Sequence, residues 1–227
     1  NQFMHTLRNL WLAKLGVKRG DNISIIGDNR PRLYAAMMAT QMLGAVPVPM
    51  YQDAGASEMV YFFNNAEISL AVVENQEQVD KLLDIEEQCS HLNSIVYDDV
   101  RGMRGYDQAF LSSVEALRES GRAFDKENPG YVQAEIDKTT PEEPAGMFST
   151  SGTTGVPKGV MHSSGNLMVS ARTLTKLFNL PSNLKLFSYL PLAHVAERVM
   201  INAGVVLGGT ISFTESLETF SNDLEKT

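Results

Sequence analysis

The stretch Phe148-Ser-Thr-Ser-Gly-Thr-Thr-Gly-Val-Pro-Lys-Gly159 places hydroxyl groups, glycines and one lysine in a single short turn. Gly152 and Gly155 allow positive φ angles, so that successive backbone N–H groups can converge on phosphate oxygens. The neighbouring serine and threonine hydroxyls offer further donors, and Lys158 adds a compact positive charge. The composition of this turn therefore predicts a loop that holds a polyphosphate.

Apolar residues on both sides of the loop predict a strand, a loop and a second strand. A Walker P-loop has a different form, because it ends in Gly-Lys-Ser/Thr and opens a helix. In this chain Pro157 precedes Lys158 and Gly159 follows it. The sequence therefore disfavours a Walker P-loop, and the apolar flanks argue against a disordered Ser/Thr/Gly linker.

Two segments resemble successive motifs of one family. Residues 149–159 resemble the phosphate-binding signature of the adenylate-forming superfamily, which includes acyl-CoA synthetases, luciferases and the adenylation domains of peptide synthetases. Ser188-Tyr-Leu-Pro-Leu-Ala-His-Val-Ala-Glu-Arg198 resembles the histidine-bearing motif of long-chain fatty-acid CoA ligases. Residues 15–26 and 44–51 are similar to the family's early core segments, so the resemblance extends over essentially the whole chain.

The resemblance implies that the intact protein is an AMP-forming fatty-acid–CoA ligase. Its ligands would be ATP, Mg²⁺, coenzyme A and a long-chain fatty acid, and the acid would be activated as an acyl-adenylate before it forms a thioester with CoA. The loop would surround the β- and γ-phosphates of ATP and neutralise charge on the departing pyrophosphate. The residues that we predict to contact ATP are Thr150, Ser151, Gly152, Thr153, Thr154, Gly155 and Lys158.

His194 is the candidate catalytic residue. The resemblance places it between the acyl tunnel and the reacting carboxylate, where a neutral imidazole could donate a hydrogen bond. The residues alone favour a packing role for a lone histidine on an apolar helix, and His162 is a weaker candidate for ligand contact. Glu197 and Arg198 orient this helix, pair with groups that follow residue 227, or form an ion pair with each other on the helix surface. No metal ligands are assigned, because His194 and Glu197 have no second His or Cys cluster nearby.

Alternating helical and apolar patterns predict an α/β fold. We expect helix-covered, mainly parallel sheets that form part of the large N-terminal domain of an adenylate-forming enzyme. Residues 1–143 form the predicted first subdomain, with a helical surface insertion near 98–143. Residues 144–227 form the second, which carries the phosphate loop and is incomplete at its C-terminus.

Several element boundaries are predicted closely enough to be tested. In the first subdomain the patterns predict helices at 57–65, capped by Ser57, at 76–88 and at 107–122. In the second they predict a helix capped by Ser163 or Ser164, a strand at 186–190 and a helix at 192–202.

Composition narrows the class of protein. The formal net charge of −8 over 227 residues argues against a general nucleic-acid-binding protein. Cys89 is the single cysteine, so no internal disulfide can form, and this usage fits a reducing, cytoplasmic location. The longest apolar stretch, at 33–51, contains Gln41 and two prolines, so we predict no transmembrane segment. Peripheral membrane contact and the oligomeric state stay open, as does the acyl chain length.

Two alternatives remain at this stage. One is another adenylate-forming ligase, acting on an aryl or amino acid, and the other is a shortened, non-catalytic nucleotide-binding module. The family's later motifs would follow residue 227, and the chain begins with Asn1 rather than Met. We therefore expect this chain to be an N-terminal fragment that is inactive by itself.

Overall fold

The computed structural model of the chain describes residues 11–150, 158–216 and 218–225. Strands and helices alternate through most of this part, and no described helix has the length and apolar character needed to span a membrane. In chain order the elements are α1 (Trp11–Lys14), β1 (Asn22–Ile26), α2 (Pro31–Met42), β2 (Val46–Met50), α3 (Ala56–Asn65), β3 (Leu70–Val73), α4 (Gln76–Leu83), β4 (Ser94–Tyr97), β5 (Leu111–Ser113), α5 (Val114–Glu127), α6 (Tyr131–Asp137), β6 (Pro144–Thr150), β7 (Lys158–Ser163), α7 (Ser164–Leu177), β8 (Lys185–Ser188), α8 (Val195–Leu207), β9 (Thr210–Phe213) and α9 (Phe220–Glu225).

The first five strands form one parallel sheet in the order β2-β1-β3-β4-β5. Ile26 at the end of β1 pairs with Met50 on one side and with Val73 on the other, so three strands end at the same edge. Strands β6 and β7 form an antiparallel hairpin, and β8 and β9 form a separate parallel pair. The predicted α/β class with mainly parallel sheets is confirmed.

Strand β1, which lies between β2 and β3, contributes to two apolar clusters on opposite faces of the sheet. Ile23 and Ile25 pack in a cluster with Leu33 of α2, whereas Ile26 packs in a cluster with Phe63 of α3. Such burial on both faces is expected of a parallel sheet whose crossover helices cover it, and it explains the nearly continuous apolar run in the strand.

The cluster on the α2 side also includes residues from the C-terminal part of the chain. Leu192, before α8, and Ile201, within α8, are both buried in it. Helix α8 therefore shares an apolar core with the first sheet. The subdomain boundary at residue 143 remains a prediction.

Two helix predictions in the first subdomain are wrong at their ends. Helix α3 begins at Ala56 and its N-cap position is Gly55, which makes no side-chain hydrogen bond, so Ser57 lies inside the first turn and does not cap it. Helix α4 ends at Leu83 instead of continuing to residue 88. A separate 3₁₀ turn, Glu86–Gln88, follows because Ile85 turns inward and is buried.

The predicted helix at 107–122 is also wrong, because the fifth strand β5 occupies residues 111–113. Helix α5 starts only after this strand, where the Ser113 hydroxyl accepts a hydrogen bond from the Ala116 N–H. The strand is three residues long and its residues are only half-buried, so it has no apolar alternation that a sequence pattern could detect.

In the second subdomain the serine cap is confirmed, while the next two boundaries differ from the prediction. Ser163 caps α7 by accepting a hydrogen bond from the Asn166 N–H. Strand β8 ends at Ser188 rather than at 190, and α8 begins at Val195 rather than at 192. The residues between them form a turn, closed by a 2.8 Å hydrogen bond from the His194 N–H to the Pro191 carbonyl.

The α3 face of the sheet provides a test of this core. Phe63 is 1% exposed and Tyr61, two residues earlier on the same helix, is 40% exposed. Phe63→Ala should lower the free energy of unfolding by about 3–5 kcal/mol, because it removes a ring from a closed apolar cluster. Tyr61→Ala is the matched control and should cost about 1 kcal/mol. Urea denaturation measures both, and equal losses would contradict this assignment of the core face.

Candidate functional site

Strands β6 and β7, which flank the predicted phosphate loop, form a hairpin with the predicted strand–loop–strand form. Its strands pair in register, so that Thr150 at the end of β6 lies opposite Lys158 at the start of β7. The Thr150 hydroxyl lies 3.4 Å from the Lys158 carbonyl oxygen, and both residues are exposed. The other predicted ATP contacts lie outside the described residues, and their assignment stays a prediction: Ser151, Gly152, Thr153, Thr154 and Gly155.

The hairpin is fixed to the rest of the fold by its apolar side. Phe148 in β6 is buried, and β6 lies beside β2 of the first sheet. The imidazole of His162 in β7 packs against the Phe148 ring edge to face, with centroids 5.6 Å apart. This contact gives His162 a packing role, and its contact with a ligand remains a prediction.

His194 lies at the N-cap of α8. The sequence pattern predicted it within the helix, and that prediction is wrong. Its Nδ1 accepts a 3.1 Å hydrogen bond from the Ala196 N–H, and its side chain is exposed. Because Nδ1 is an acceptor, the proton of the neutral ring belongs on Nε2. His194 can therefore offer an N–H donor to a ligand.

Glu197 is buried in a cluster of hydrogen-bond donors. Its Oε1 accepts a 2.5 Å hydrogen bond from the Ser188 hydroxyl and a 3.0 Å hydrogen bond from the Tyr34 hydroxyl, and the Leu190 N–H also donates to the carboxylate. Burial raises the pKa of Glu197 above its ordinary value, and these three donors oppose that shift. Burial and the nearby Glu197 charge raise the pKa of Tyr34, so its phenol remains a donor.

A second anchor joins this cluster to the first sheet. Asn29, which follows β1, is buried and donates from Nδ2 to the Ser188 hydroxyl at 2.9 Å and to the Leu190 carbonyl at 2.6 Å. The Asn29 Oδ1 has no hydrogen-bond partner among the described residues. The carboxyl ends of β1 and β8 are thus held together by side-chain hydrogen bonds.

Arg198 is also buried, and it binds a different element from Glu197. Its Nη2 donates to the Gln41 Oε1 at 2.5 Å, and the Gln41 amide in turn donates to the Ala145 carbonyl in β6. Burial lowers the pKa of Arg198 to about 10, so the guanidinium is still charged at neutral pH. The sequence-based alternative of a surface ion pair between Glu197 and Arg198 is therefore wrong, because adjacent helix residues point in different directions.

A cleft of about 750 Å³ opens where the carboxyl ends of β1, β2, β8 and β9 meet. Open α/β sheets bind their ligands in this position, outside the carboxyl ends of the strands. The cleft is adjacent to His194, since Ala193 is part of its wall. It is lined by residues 27–30, 50–53, 189–193, 214–216 and Glu218.

Arg30 crosses the cleft, and nearby acids balance its charge. Its Nε donates to Glu74 Oε1 at 2.8 Å, and its Nη1 donates to the Glu215 carbonyl at 3.1 Å. The other Glu74 oxygen accepts the Asp28 N–H at 2.7 Å. Gly27 permits this approach, because a Cβ at its position would lie 2.5 Å from the Glu74 Cβ.

Sequence reasoning missed Asn29, Arg30 and Tyr34 as parts of the site. Asn29 and Arg30 follow β1 and Tyr34 lies within α2, and the end of a buried parallel strand is a position that sequence reasoning could have identified. Their partners are 44 to 185 residues away in the chain, however, so no local pattern names them.

The raised pKa of Glu197 gives a pH prediction. A carboxyl group whose native pKa exceeds its unfolded value favours folding when protonated, and this contribution is lost as the pH rises from about 4.5 through the native pKa. Glu197→Gln keeps an acceptor oxygen but cannot ionise. The variant's free energy of unfolding, relative to that of the wild type, should therefore increase with pH across this range.

Urea denaturation at a series of pH values measures this difference. The comparison should be repeated in a His194→Asn background, because the His194 side chain acts electrostatically on Glu197. Arg198 stays protonated throughout the range. A difference between Gln and Glu that does not change with pH would contradict the shifted pKa.

Comparisons with known sequences extend over nearly the whole chain. A profile of AMP-binding enzymes matches residues 10–226. Fatty acyl-CoA synthetase A of Dictyostelium discoideum is 32% identical over 225 residues, which is 94% of this chain and 32% of that protein. A long-chain-fatty-acid–CoA ligase of Homo sapiens is 28% identical over 208 residues, or 89% of this chain and 28% of that protein. The chain thus spans about a third of the length of these relatives.

Solved structures share the fold. A long-chain-fatty-acid–CoA ligase from Archaeoglobus fulgidus matches with a TM-score of 0.79 at 22% identity, covering 99% of this chain and 42% of the other. The N-terminal domain of FACL13 from Mycobacterium tuberculosis matches with a TM-score of 0.77 at 19% identity, covering 98% of this chain and 52% of the other. Because the family profile also matches almost every residue, the chain belongs to the AMP-binding enzyme family.

Proposed function

We propose that the intact protein is an ATP-dependent acyl-CoA synthetase that activates a long-chain fatty acid. One observation carries the proposal. The Ser/Thr/Gly-rich sequence typical of a phosphate loop is bracketed by paired antiparallel strands that bring Thr150 and Lys158 to the same end of a hairpin. Relatives at 28–32% identity are named as fatty acyl-CoA synthetases and ligases, which supports the choice of a fatty acid over an aryl or amino acid.

The proposed reaction has two steps. First, a carboxylate oxygen of the fatty acid attacks the α-phosphorus of ATP, and the bond to the bridging oxygen breaks to release pyrophosphate. Next, the thiolate of coenzyme A attacks the carbonyl carbon of the acyl-adenylate and releases AMP. The protein's task in the first step is to align the two reactants and to stabilise charge that moves onto pyrophosphate.

The hairpin supplies the positive charge for that first step. Lys158 is exposed at the base of the loop, where its ammonium group can follow the developing charge on the leaving group. The Thr150 hydroxyl opposite it is one further donor. The cleft suits the uncharged parts of the substrates better than it suits phosphates. Its described walls carry four acidic side chains, and Arg30 is the only basic side chain among them.

His194 is proposed to bind the carboxylate of the acid. Its ring is held at the start of α8 by the hydrogen bond at Nδ1, and this leaves Nε2–H as the donor. A donor in that position lowers the energy of the carboxylate in the orientation required for attack. The adjacent Leu192 and Ala193 are buried, so the imidazole projects from a rigid base.

Mg²⁺ has no protein cage in the described part of the chain. No group of three or more His, Cys, Asp or Glu residues there could hold a metal ion. Mg²⁺ usually keeps several waters and binds through substrate phosphates with few protein ligands. A bound Mg²⁺ would therefore be held mainly by the substrate phosphates.

We further propose that the subdomain boundary lies near residue 143.

The intact protein should catalyse ATP–pyrophosphate exchange that depends on a long-chain fatty acid. Radiolabelled pyrophosphate incorporated into ATP measures this reaction directly. A panel of fatty, aryl and amino acids identifies the acid, and exchange with an aryl or amino acid alone would replace the proposed substrate. The absence of exchange with every acid would favour a non-catalytic nucleotide-binding module.

Replacing Lys158 with Ala should slow acyl-adenylate formation by about 10²–10³-fold, the usual effect of removing one preorganised charge. Lys176→Ala is the matched control, because Lys176 is an exposed lysine in the last turn of α7. Single-turnover formation of the adenylate in the intact protein measures both variants. An unchanged rate for Lys158→Ala would remove this lysine from the site.

A further inference from the structure

We propose that Glu197 is a positioning residue whose buried carboxylate holds the turn of residues 189–194, so that His194 is held beside the cleft in one orientation. The effect on catalysis rests on the proposed function, whereas the effect on the turn does not. Three observations support the assignment: the donors that surround the carboxylate, the binding of both backbone groups of Leu190, and hydrogen-bond partners of Glu197 that differ from those of a capping box.

The donors around the carboxylate close the turn at its base. Ser188, the last residue of β8, lies just before the turn, and Glu197, in the first turn of α8, lies just after it. Their 2.5 Å hydrogen bond therefore joins the two ends of the segment. Tyr34 from α2 donates to the same carboxylate at 3.0 Å and fixes this base to the first sheet's helix layer.

Leu190, inside the turn, is held through both of its backbone groups. Its N–H donates to the Glu197 carboxylate, and its carbonyl accepts the Asn29 Nδ2–H at 2.6 Å. Leu190 is half-buried, and a backbone group withdrawn from water needs such a partner, because an unpaired one costs as much as a lost hydrogen bond. The turn is thus positioned from two sides, by β1 through Asn29 and by α8 through Glu197.

The hydrogen-bond partners of Glu197 differ from the usual ones at its helix position. With His194 at the N-cap, Glu197 is the third residue of α8, where a glutamate commonly reaches back to the N-cap N–H in a capping box. Here the His194 N–H donates to the Pro191 carbonyl instead, and Glu197 turns toward Ser188 and Tyr34. The carboxylate therefore serves the turn rather than the helix end.

Stability alone is a poor explanation for a carboxylate at this position. Glu197 is 3% exposed, and its three donors are neutral groups. Burial of a carboxylate carries a desolvation cost, and burial is the largest influence on the pKa of Glu197. A carboxylate can, however, accept hydrogen bonds from Ser188, Tyr34 and Leu190 at the same time and so hold them together.

The experiment compares Glu197→Leu with Glu197→Gln in the intact protein. Hydrogen exchange of the backbone amides in residues 188–194 reports on the turn, and single-turnover acyl-adenylate formation reports on catalysis. Glu197→Leu should raise the exchange rate and lower the adenylation rate, each by about tenfold or more, as expected when hydrogen bonds to a charged group are lost. The KM for ATP should stay within about twofold, because the hairpin that binds ATP is not changed.

Glu197→Gln should restore most of both quantities, because its amide oxygen still accepts from Ser188 and Tyr34. Tyr34→Phe removes one donor without changing the ring, and it should raise the exchange rate and lower the adenylation rate by smaller factors. This variant replaces Glu197→Leu in the test if the leucine variant does not fold. Gln78→Leu is the matched control, since Gln78 is a buried polar residue of α4, whose Val79 and Leu82 belong to the other core cluster. It should leave exchange in 188–194 and the adenylation rate unchanged.

The outcomes separate this proposal from the proposed function. Unchanged exchange at 188–194 in Glu197→Leu would overturn the role of Glu197 in holding the turn. Faster exchange with an unchanged adenylation rate would overturn its role in positioning His194. A wild-type protein without fatty-acid-dependent pyrophosphate exchange would overturn the proposed function, while the hydrogen-exchange comparison would still test the hold on the turn.

Discussion

The parallel register of β1 with β2 and β3 is the constraint on which the rest of the structure depends. Because Ile26 pairs with both Met50 and Val73, three strands end together at one edge of the sheet. Helices cover both faces, so ligands can approach the sheet only where its strands end. The residues that follow β1 and β2 consequently form one wall of the cleft.

The second part of the chain supplies the opposite wall and is attached to that same edge. Asn29 binds Leu190 and Ser188, and Arg30 reaches the Glu215 carbonyl, so the ends of β8 and β9 are held against the end of β1. Arg198 extends the connection through Gln41 to Ala145 at the start of the hairpin. Two adjacent helix residues thus connect α8 to two different parts of the structure. Glu197 binds the turn of residues 189–194, and Arg198 is linked through Gln41 to the hairpin of β6 and β7.

Local sequence patterns predicted most of the fold but little of the site's hydrogen bonding. Buried strands such as β1 and the Ser163 helix cap depend on apolar runs and neighbouring residues, and sequence reasoning found them. Strand β5 was missed because it is short and half-buried. The burial of Glu197 and Arg198 could not be predicted either, because their partners Tyr34 and Gln41 are more than 150 residues away. The sequence of two adjacent charged residues is the same whether their side chains are exposed or buried.

We propose that the hairpin of β6 and β7 binds the phosphates of a nucleoside triphosphate, and an NMR titration tests this binding most directly. ATP and AMP are added separately to the isotopically labelled protein, and the backbone amide shifts of residues 149–159 are followed. ATP should shift these amide signals in a saturable manner. AMP should shift them much less, because it lacks the β- and γ-phosphates. Amides in 149–159 that do not respond to saturating ATP, or that respond equally to AMP, would contradict the proposed binding.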